Sequence, residues 1–184
     1  MLENSQREIE LLSHYNSHPR YYSSIKEGFV DIVEKCLEHC EIKSITGKTI
    51  LDPGCGDGRL ASIVEKLGAS CYTGVDYSPV RTKIATDTKT SIPKKIITKT
   101  IQDFLKDNTE TFDVIFLFET LEHLEQPDKV LHELKKIGTT IIGSVPIRLP
   151  YKAHLQVYKT EQEVESKLGC KVIFTNQKHF FFTF

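Results

Sequence analysis

A chain of 184 residues can form one domain with a substantial core, and 39% hydrophobic with 27% charged residues is ordinary for a globular protein. A formal net charge of -1 excludes bulk electrostatic attraction to nucleic acid or anionic membranes, and no apolar run reaches the roughly 18 residues of a membrane span. Five scattered cysteines and a polar, acidic start predict reduced thiols in the cytoplasm rather than a disulfide framework behind a secretory signal.

Residues 1–24 are polar and carry the aromatic and histidine-rich stretch "HYNSHPRYY"; they read as an N-terminal arm or lid. In that reading Tyr15, Arg20, Tyr21 and Tyr22 would close over a ligand. From residue 25 to 184 the pattern is a single domain of alternating strands and helices. Ser24 and Glu27 form a capping-box signature, and Ile25, Phe29, Val33 and Leu37 fall on one helical face behind it. The helix also carries Cys36, His39 and Cys40, with no second pair of metal ligands nearby.

"KTILD" reads as the first strand, ending at Asp52, and Leu60, Ile63, Val64 and Leu67 mark the helix after it, closed by Gly68. "CYTGVD" is the second strand, ending at Asp76, and Ser78-Pro79 supplies an N-cap and a first-turn proline. The third strand is expected at 95–101, and the fourth, "FDVIFLF" at 112–118, is a continuous apolar run suited to burial on both faces. Pro127 opens the next helix and Gly138 ends it; "TTIIGSV" follows as a strand. A helix near 160–168, then "KVIFT" and "HFFFTF" joined by "NQK", complete the chain. The expected fold is an α/β, Rossmann-like seven-stranded sheet, mostly parallel with one antiparallel strand, with helices on both faces.

Between the first strand and its helix stands "GCGDG". Gly54, Gly56 and Gly58 allow a sharp turn and close approach of a ligand to the backbone. A dinucleotide fingerprint requires Gly or Ala where Arg59 stands, and a phosphate P-loop requires a Gly-Lys pair that is missing. What remains is an acid followed by alternate glycines. Asp52 can meet a cationic amino group and Asp76 both hydroxyls of a ribose. Asp103, within Gln102-Asp103-Phe104, can accept from an adenine amine, with Phe104 or Leu105 covering the ring. The alternative is a domain whose glycines only pack helix against strand.

The stretches "ILDPGCGDG", "YTGVDYS", "IQDFL" and "FDVIFLFETLEHL" resemble the class I S-adenosylmethionine-dependent methyltransferases, and the element order is similar over about residues 25–184. Pro53 departs from the aliphatic residue more usual there. The resemblance implies S-adenosylmethionine as methyl donor and S-adenosylhomocysteine as product. It further implies that Asp52–Gly58, Cys55 included, hold the methionine part, that Asp76 with Tyr77 lies at the ribose and Asp103 near adenine, and that Phe118–Glu119 lie near the sulfonium.

Glu119, Glu122 and His123 share a face if "ETLEH" turns helically, with His123 and Glu119 as candidate catalytic residues. The alternative is that His123 is a satisfied structural histidine and Glu122 caps local backbone. E-x-x-E-H resembles ubiquinone-pathway catechol O-methyltransferases and small-RNA ribose 2′-O-methyltransferases. The latter resemblance implies an alternative divalent-metal set of Glu119, Glu122, His123 and His154. Phosphate-binding candidates are confined to Lys94-Lys95, Lys135-Lys136 and Arg148. The favoured acceptor is therefore an oxygen of a small molecule, in a pocket lined by His154 and Tyr158. The alternatives are metal-assisted RNA ribose methylation and a non-catalytic S-adenosylmethionine-binding protein.

Overall fold

The computed structural model describes residues 28–150 and 154–184, together with Gln6, Glu10 and Ser13. The expected arm at 1–24 and the Ser24–Glu27 capping box lie outside the described residues, those three positions apart. The first described helix, α1 (Phe29–His39), starts instead at Gly28 in a left-handed conformation with no side-chain cap. Val33 and Leu37 of its expected apolar face are buried, and Phe29 is half-buried.

Strand and helix then alternate as β1 (Thr49–Pro53), α2 (Arg59–Lys66), β2 (Cys71–Asp76), α3 (Pro79–Asp87), β3 (Lys94–Thr98), α4 (Ile101–Asp107) and β4 (Phe112–Phe118). A 3-10 turn at Leu121–His123 precedes α5 (Pro127–Ile137), β5 (Gly138–Pro146), α6 (Glu161–Leu168), β6 (Lys171–Thr175) and β7 (His179–Thr183).

The third strand is shorter than the sequence pattern suggests. It stops at Thr98, and Ile101 belongs to α4, where Thr100 is the N-cap. Thr100 Oγ1 accepts from the Asp103 N–H at 3.1 Å and donates to Asp103 Oδ2 at 2.8 Å. This reciprocal cap outweighs the β-branched run that favoured a longer strand.

The seven strands form one sheet in the order β3-β2-β1-β4-β5-β7-β6. β1 pairs in parallel with both β2 and β4, and β7 alone runs antiparallel, between β5 and β6. Order therefore reverses between β1 and β4, which opens a crevice at the carboxyl ends of those strands. The "NQK" link turns as expected: Asn176 Oδ1 accepts from the N–H groups of Lys178 and His179, both at 2.8 Å.

Two apolar layers hold helices to opposite faces. Val33, Leu37, Leu60, Ile63 and Val64 of α1 and α2 pack with Ile50, Phe116 and Phe181 on one face. Phe104, Val130, Leu131, Leu134, Val164 and Leu168 of α4, α5 and α6 pack with Leu51, Ile115, Leu117 and Phe182 on the other. Consecutive phenylalanines of β7 thus enter opposite layers, as the strand period of two requires.

Candidate functional site

Gly54, Gly56 and Gly58 all have φ in the left-handed region, at 92°, 53° and 77°. The chain leaving β1 folds over β2, and the N–H groups of Gly54 and Cys55 both donate to Val75 O, at 2.7 and 3.0 Å. A Cβ on Gly54 would sit 2.5 Å from Thr120 Oγ1, so the loop can lie against the segment after β4 only with glycine there.

Two buried carboxylates stand at the strand ends beside this loop. Asp76 Oδ2 accepts from the Gly56 N–H and Oδ1 from the Ser78 N–H, each at 2.9 Å. Asp76 therefore ties the glycine loop to the start of α3. Burial pushes its carboxyl upward, against the lowering effect of those two N–H groups and of Arg81. Asp52 is buried, and the Tyr72 hydroxyl donates to its Oδ2 at 2.6 Å. Burial raises the Asp52 carboxyl to about 7, the Tyr72 hydrogen bond lowers it, and Asp76 and Asp57 raise it further. A buried carboxylate whose charged neighbours are acids is suited to a cation.

Asp103 lies on the first turn of α4, where Lys106 and Thr100 donate to it and hold its carboxyl below the usual range. Gln102 and Phe104 are buried, with the Phe104 ring packed in the core layer; Leu105 is the more exposed of the two expected covering residues. Tyr77 is half-buried beside Asp76. Phe118, also half-buried, meets the Phe29 ring edge-on with centroids 5.5 Å apart.

The segment after β4 does not turn as one helix, which corrects the expected common face. Glu119 has φ of 52°, a left-handed conformation that breaks the chain direction before the 3-10 turn. Its carboxylate goes to strands β5 and β7. Ser144 Oγ donates to Oε1 at 3.0 Å, and His179 Nε2 lies 3.3 Å from Oε2.

Glu122 points inward instead. Its carboxylate is fully buried, and among the described residues neither oxygen has a hydrogen-bond partner. Burial and the nearby Glu119 charge push its carboxyl well up. His123 Nε2 is 3.7 Å from Glu122 Oε1, and the His123 and His154 ring centroids are 5.0 Å apart. His154 is brought there because Leu155 and Gln156 donate their N–H groups to Glu122 O, at 2.7 and 3.0 Å. Glu122, His123 and His154 each offer a ligand atom within 4.8 Å of the others. Three of the four alternative metal ligands thus converge, and Glu119 is turned away. Tyr158, expected to line a pocket, is a core residue.

Sequence reasoning missed Tyr72, Ser144 and His179. Tyr72 was legible only as a strand residue, and its partner stands 20 positions away. His179 reaches the site through an antiparallel strand whose register the sequence leaves open. The basic candidates are engaged elsewhere: Lys94 caps the end of α3 at Ala85 O, Lys95 pairs with Glu110, and Lys136 pairs with Glu133. Lys135 lies over the Phe184 ring, and Arg148 Nε donates to Lys159 O. Among the described residues no helix is long and apolar enough to cross a membrane. Two open clefts of about 620 Å³ lie away from the site, one around Lys94 and one around Glu38 and Ile45.

A methyltransferase domain family matches residues 21–146. The ubiquinone biosynthesis O-methyltransferase of Hydrogenovibrio crunogenus is 33% identical over 100 residues, covering 52% of this chain and 40% of that protein. The enzyme of the same name from Glaesserella parasuis is 35% identical over 97 residues, covering 50% of this chain and 41% of its own. The chain therefore spans about two fifths of the length of these curated relatives. Among solved structures, the magnesium protoporphyrin IX methyltransferase of Synechocystis with bound S-adenosylmethionine superimposes with a TM-score of 0.69 at 17% identity, covering 100% of this chain and 98% of that one. That likeness establishes the fold.

Proposed function

We propose, from the premise that this chain belongs to the methyltransferase domain family, that it transfers a methyl group from S-adenosylmethionine to an oxygen of a small molecule. The observation that carries the reading is the convergence of Asp52, Asp76 and the glycine loop at the switch point, with Asp103 on the turn after β3. The donor set fits the cofactor's chemistry. Asp52 is a buried acid for the ammonium, Asp76 an acid at the ribose, and the left-handed turns at Gly54 and Gly56 shape the loop that would lie beside the methionine part. Cys55, Gly58, Tyr77, Gln102 and Phe118 complete the surround in this reading.

When bound, S-adenosylmethionine supplies a methyl group made electrophilic by the sulfonium. The remaining work falls to the chain's own residues. They must align an acceptor oxygen and receive its proton. We assign that role to the imidazoles beside carboxylates at the other half of the crevice: His123 with Glu122, and His179 with Glu119. The relatives named for ubiquinone biosynthesis favour a hydroxyl acceptor, and the engaged lysines disfavour a phosphate backbone. The five free thiols suit a reducing, cytoplasmic setting.

A second reading, metal-assisted transfer, is favoured by the buried Glu122 carboxylate facing two histidines. Calorimetry with S-adenosylmethionine and S-adenosylhomocysteine tests the main reading, and binding of neither overturns it. Labelled methyl transfer to simple catechols is then compared with transfer to total RNA. Activity unchanged by chelation removes the metal reading.

A further inference from the structure

The Tyr72–Asp52 pair is built by the second strand in an unusual way. Tyr72 pairs with Ile50 and Lys94 low in the sheet, two residues before Gly74. Its ring runs up past Gly74, where an added Cβ would meet Tyr72 Cε1 at 3.0 Å, Ile96 Cδ1 at 3.0 Å and Cys55 Sγ at 2.8 Å. The missing side chain at Gly74 is what opens a channel for the ring. At its top the hydroxyl reaches Asp52 Oδ2 at 2.6 Å, in a position 1% exposed. The buried hydroxyl thus finds its acceptor in a carboxylate that, among the described residues, has no cationic partner, and it occupies one of the two carboxylate oxygens.

We infer that Tyr72 is a positioning residue for the methyl donor: its hydroxyl holds the Asp52 carboxylate toward the cofactor's ammonium, and cofactor uptake releases a proton from Asp52. This rests on the S-adenosylmethionine-binding reading above and deepens it. The groups facing Asp52 are the Tyr72 hydroxyl, the Asp57 and Asp76 carboxylates, and the Cys55 thiol, which burial keeps neutral. The charged members of that set are both acids; Asp57 is paired with Arg59 at 2.9 Å and Arg81 acts on Asp76, and the net effect of the two acids on Asp52, added to its burial, favours the protonated form without a ligand. The ligand's ammonium favours the ionised form. Binding to the protonated form therefore sends the carboxyl proton to solvent and leaves an ammonium–carboxylate pair. Tyr72 donates its hydroxyl hydrogen to the ionised oxygen and fixes which oxygen remains for the ligand.

The experiment is calorimetry of the full chain with S-adenosylhomocysteine between pH 5.5 and 7.5, in paired buffers of different ionisation enthalpy. Wild type is expected to release about half a proton per ligand near pH 7 and nearly one at pH 5.5, with affinity falling as pH drops. Tyr72→Phe is expected to weaken binding about tenfold at pH 7 and to move the pH midpoint upward, since the hydrogen bond that favours the carboxylate is gone. A purely structural tyrosine would leave the midpoint in place. Superimposable affinities and pH profiles for wild type and Tyr72→Phe overturn the inference. Absence of binding by wild type overturns the cofactor reading instead, so the two failures are distinct. Should Tyr72→Phe fail to fold, Asp52→Asn decides: its proton release must vanish, and release equal to wild type overturns the inference.

Discussion

The two halves of the crevice are held by different means. At the ends of β1 and β2, Asp76 anchors backbone N–H groups at 2.9 Å, and Asp52 takes a hydrogen bond of 2.6 Å from a buried tyrosine. At the ends of β4, β5 and β7 the carboxylates face imidazoles at 3.3 and 3.7 Å, longer than good hydrogen bonds. The first half is fastened before any ligand arrives. The second is a set of side chains on short segments, among them the Glu122 carboxylate, which has no hydrogen-bond partner among the described residues. On the assignment proposed above, a donor-binding half fixed through backbone and an acceptor half assembled from side chains would let one scaffold take different acceptors.

The largest effect should come from breaking the fastened half. Asp76→Ala leaves the N–H groups of Gly56 and Ser78 without their acceptor. It should lower S-adenosylhomocysteine affinity more than about 100-fold and cost roughly 2–4 kcal/mol of stability. Calorimetry and urea unfolding report the two losses. Full affinity in this variant would show that the donor half is not organised by Asp76.

Asp52→Asn should separate binding from stability. The Asp52 carboxyl is raised from 3.8 to about 7 in the folded protein, so the native state favours its protonated form. Its contribution to stability is fully present below about pH 4 and is lost as pH rises through about 7, on the order of 1.4 kcal/mol per pH unit between them. The asparagine variant should therefore bind S-adenosylhomocysteine about 100-fold more weakly, yet unfold at higher urea than wild type at pH 8. Its stability should also change less between pH 5 and pH 8. Equal pH dependence in the two proteins would remove Asp52 as the source.

In the acceptor half, Glu122→Gln removes a buried carboxyl that burial pushes well up. By the same sign, stability at pH 8 should rise while labelled methyl transfer falls. If a divalent cation occupies the cluster, adding magnesium or manganese should raise the melting temperature of wild type and not of this variant.

The same contrast explains what could be read from the chain alone. The end of β2 at Asp76 was legible, and that of β1 to within one residue, because glycines and a Ser-Pro cap mark local turns, and local turns are encoded by neighbouring residues. The third strand was overread because Ile101 fits a strand pattern, while Thr100 and Asp103 cap a helix over the same residues. The Glu119–His179 pairing was not legible. It depends on a left-handed Glu119 and on β7 inserting between β5 and β6, neither of which neighbouring residues dictate. For the same reason E-x-x-E-H looked like one helical face and proved to be two sites facing different partners.

The smallest expected effect is the one that separates those two sites. His179 Nε2 lies beside Glu119 Oε2, and Glu119 is fixed in turn by Ser144. His179→Asn leaves every donor-side hydrogen bond untouched, so its S-adenosylhomocysteine affinity should stay within about twofold of wild type. If the pair orients or deprotonates the acceptor, kcat for methyl transfer to a simple catechol that the wild type accepts should fall about tenfold or more, and Glu119→Gln should produce a similar loss. His123→Asn is the control from the neighbouring cluster, beside the buried Glu122. A loss confined to His123→Asn would assign the chemistry to the Glu122 cluster and leave His179 as a strand-end residue. A loss confined to His179→Asn would assign it to the strained Glu119 corner and make the Glu122 cluster structural. Equal losses would mean that the two imidazoles face one acceptor from two sides.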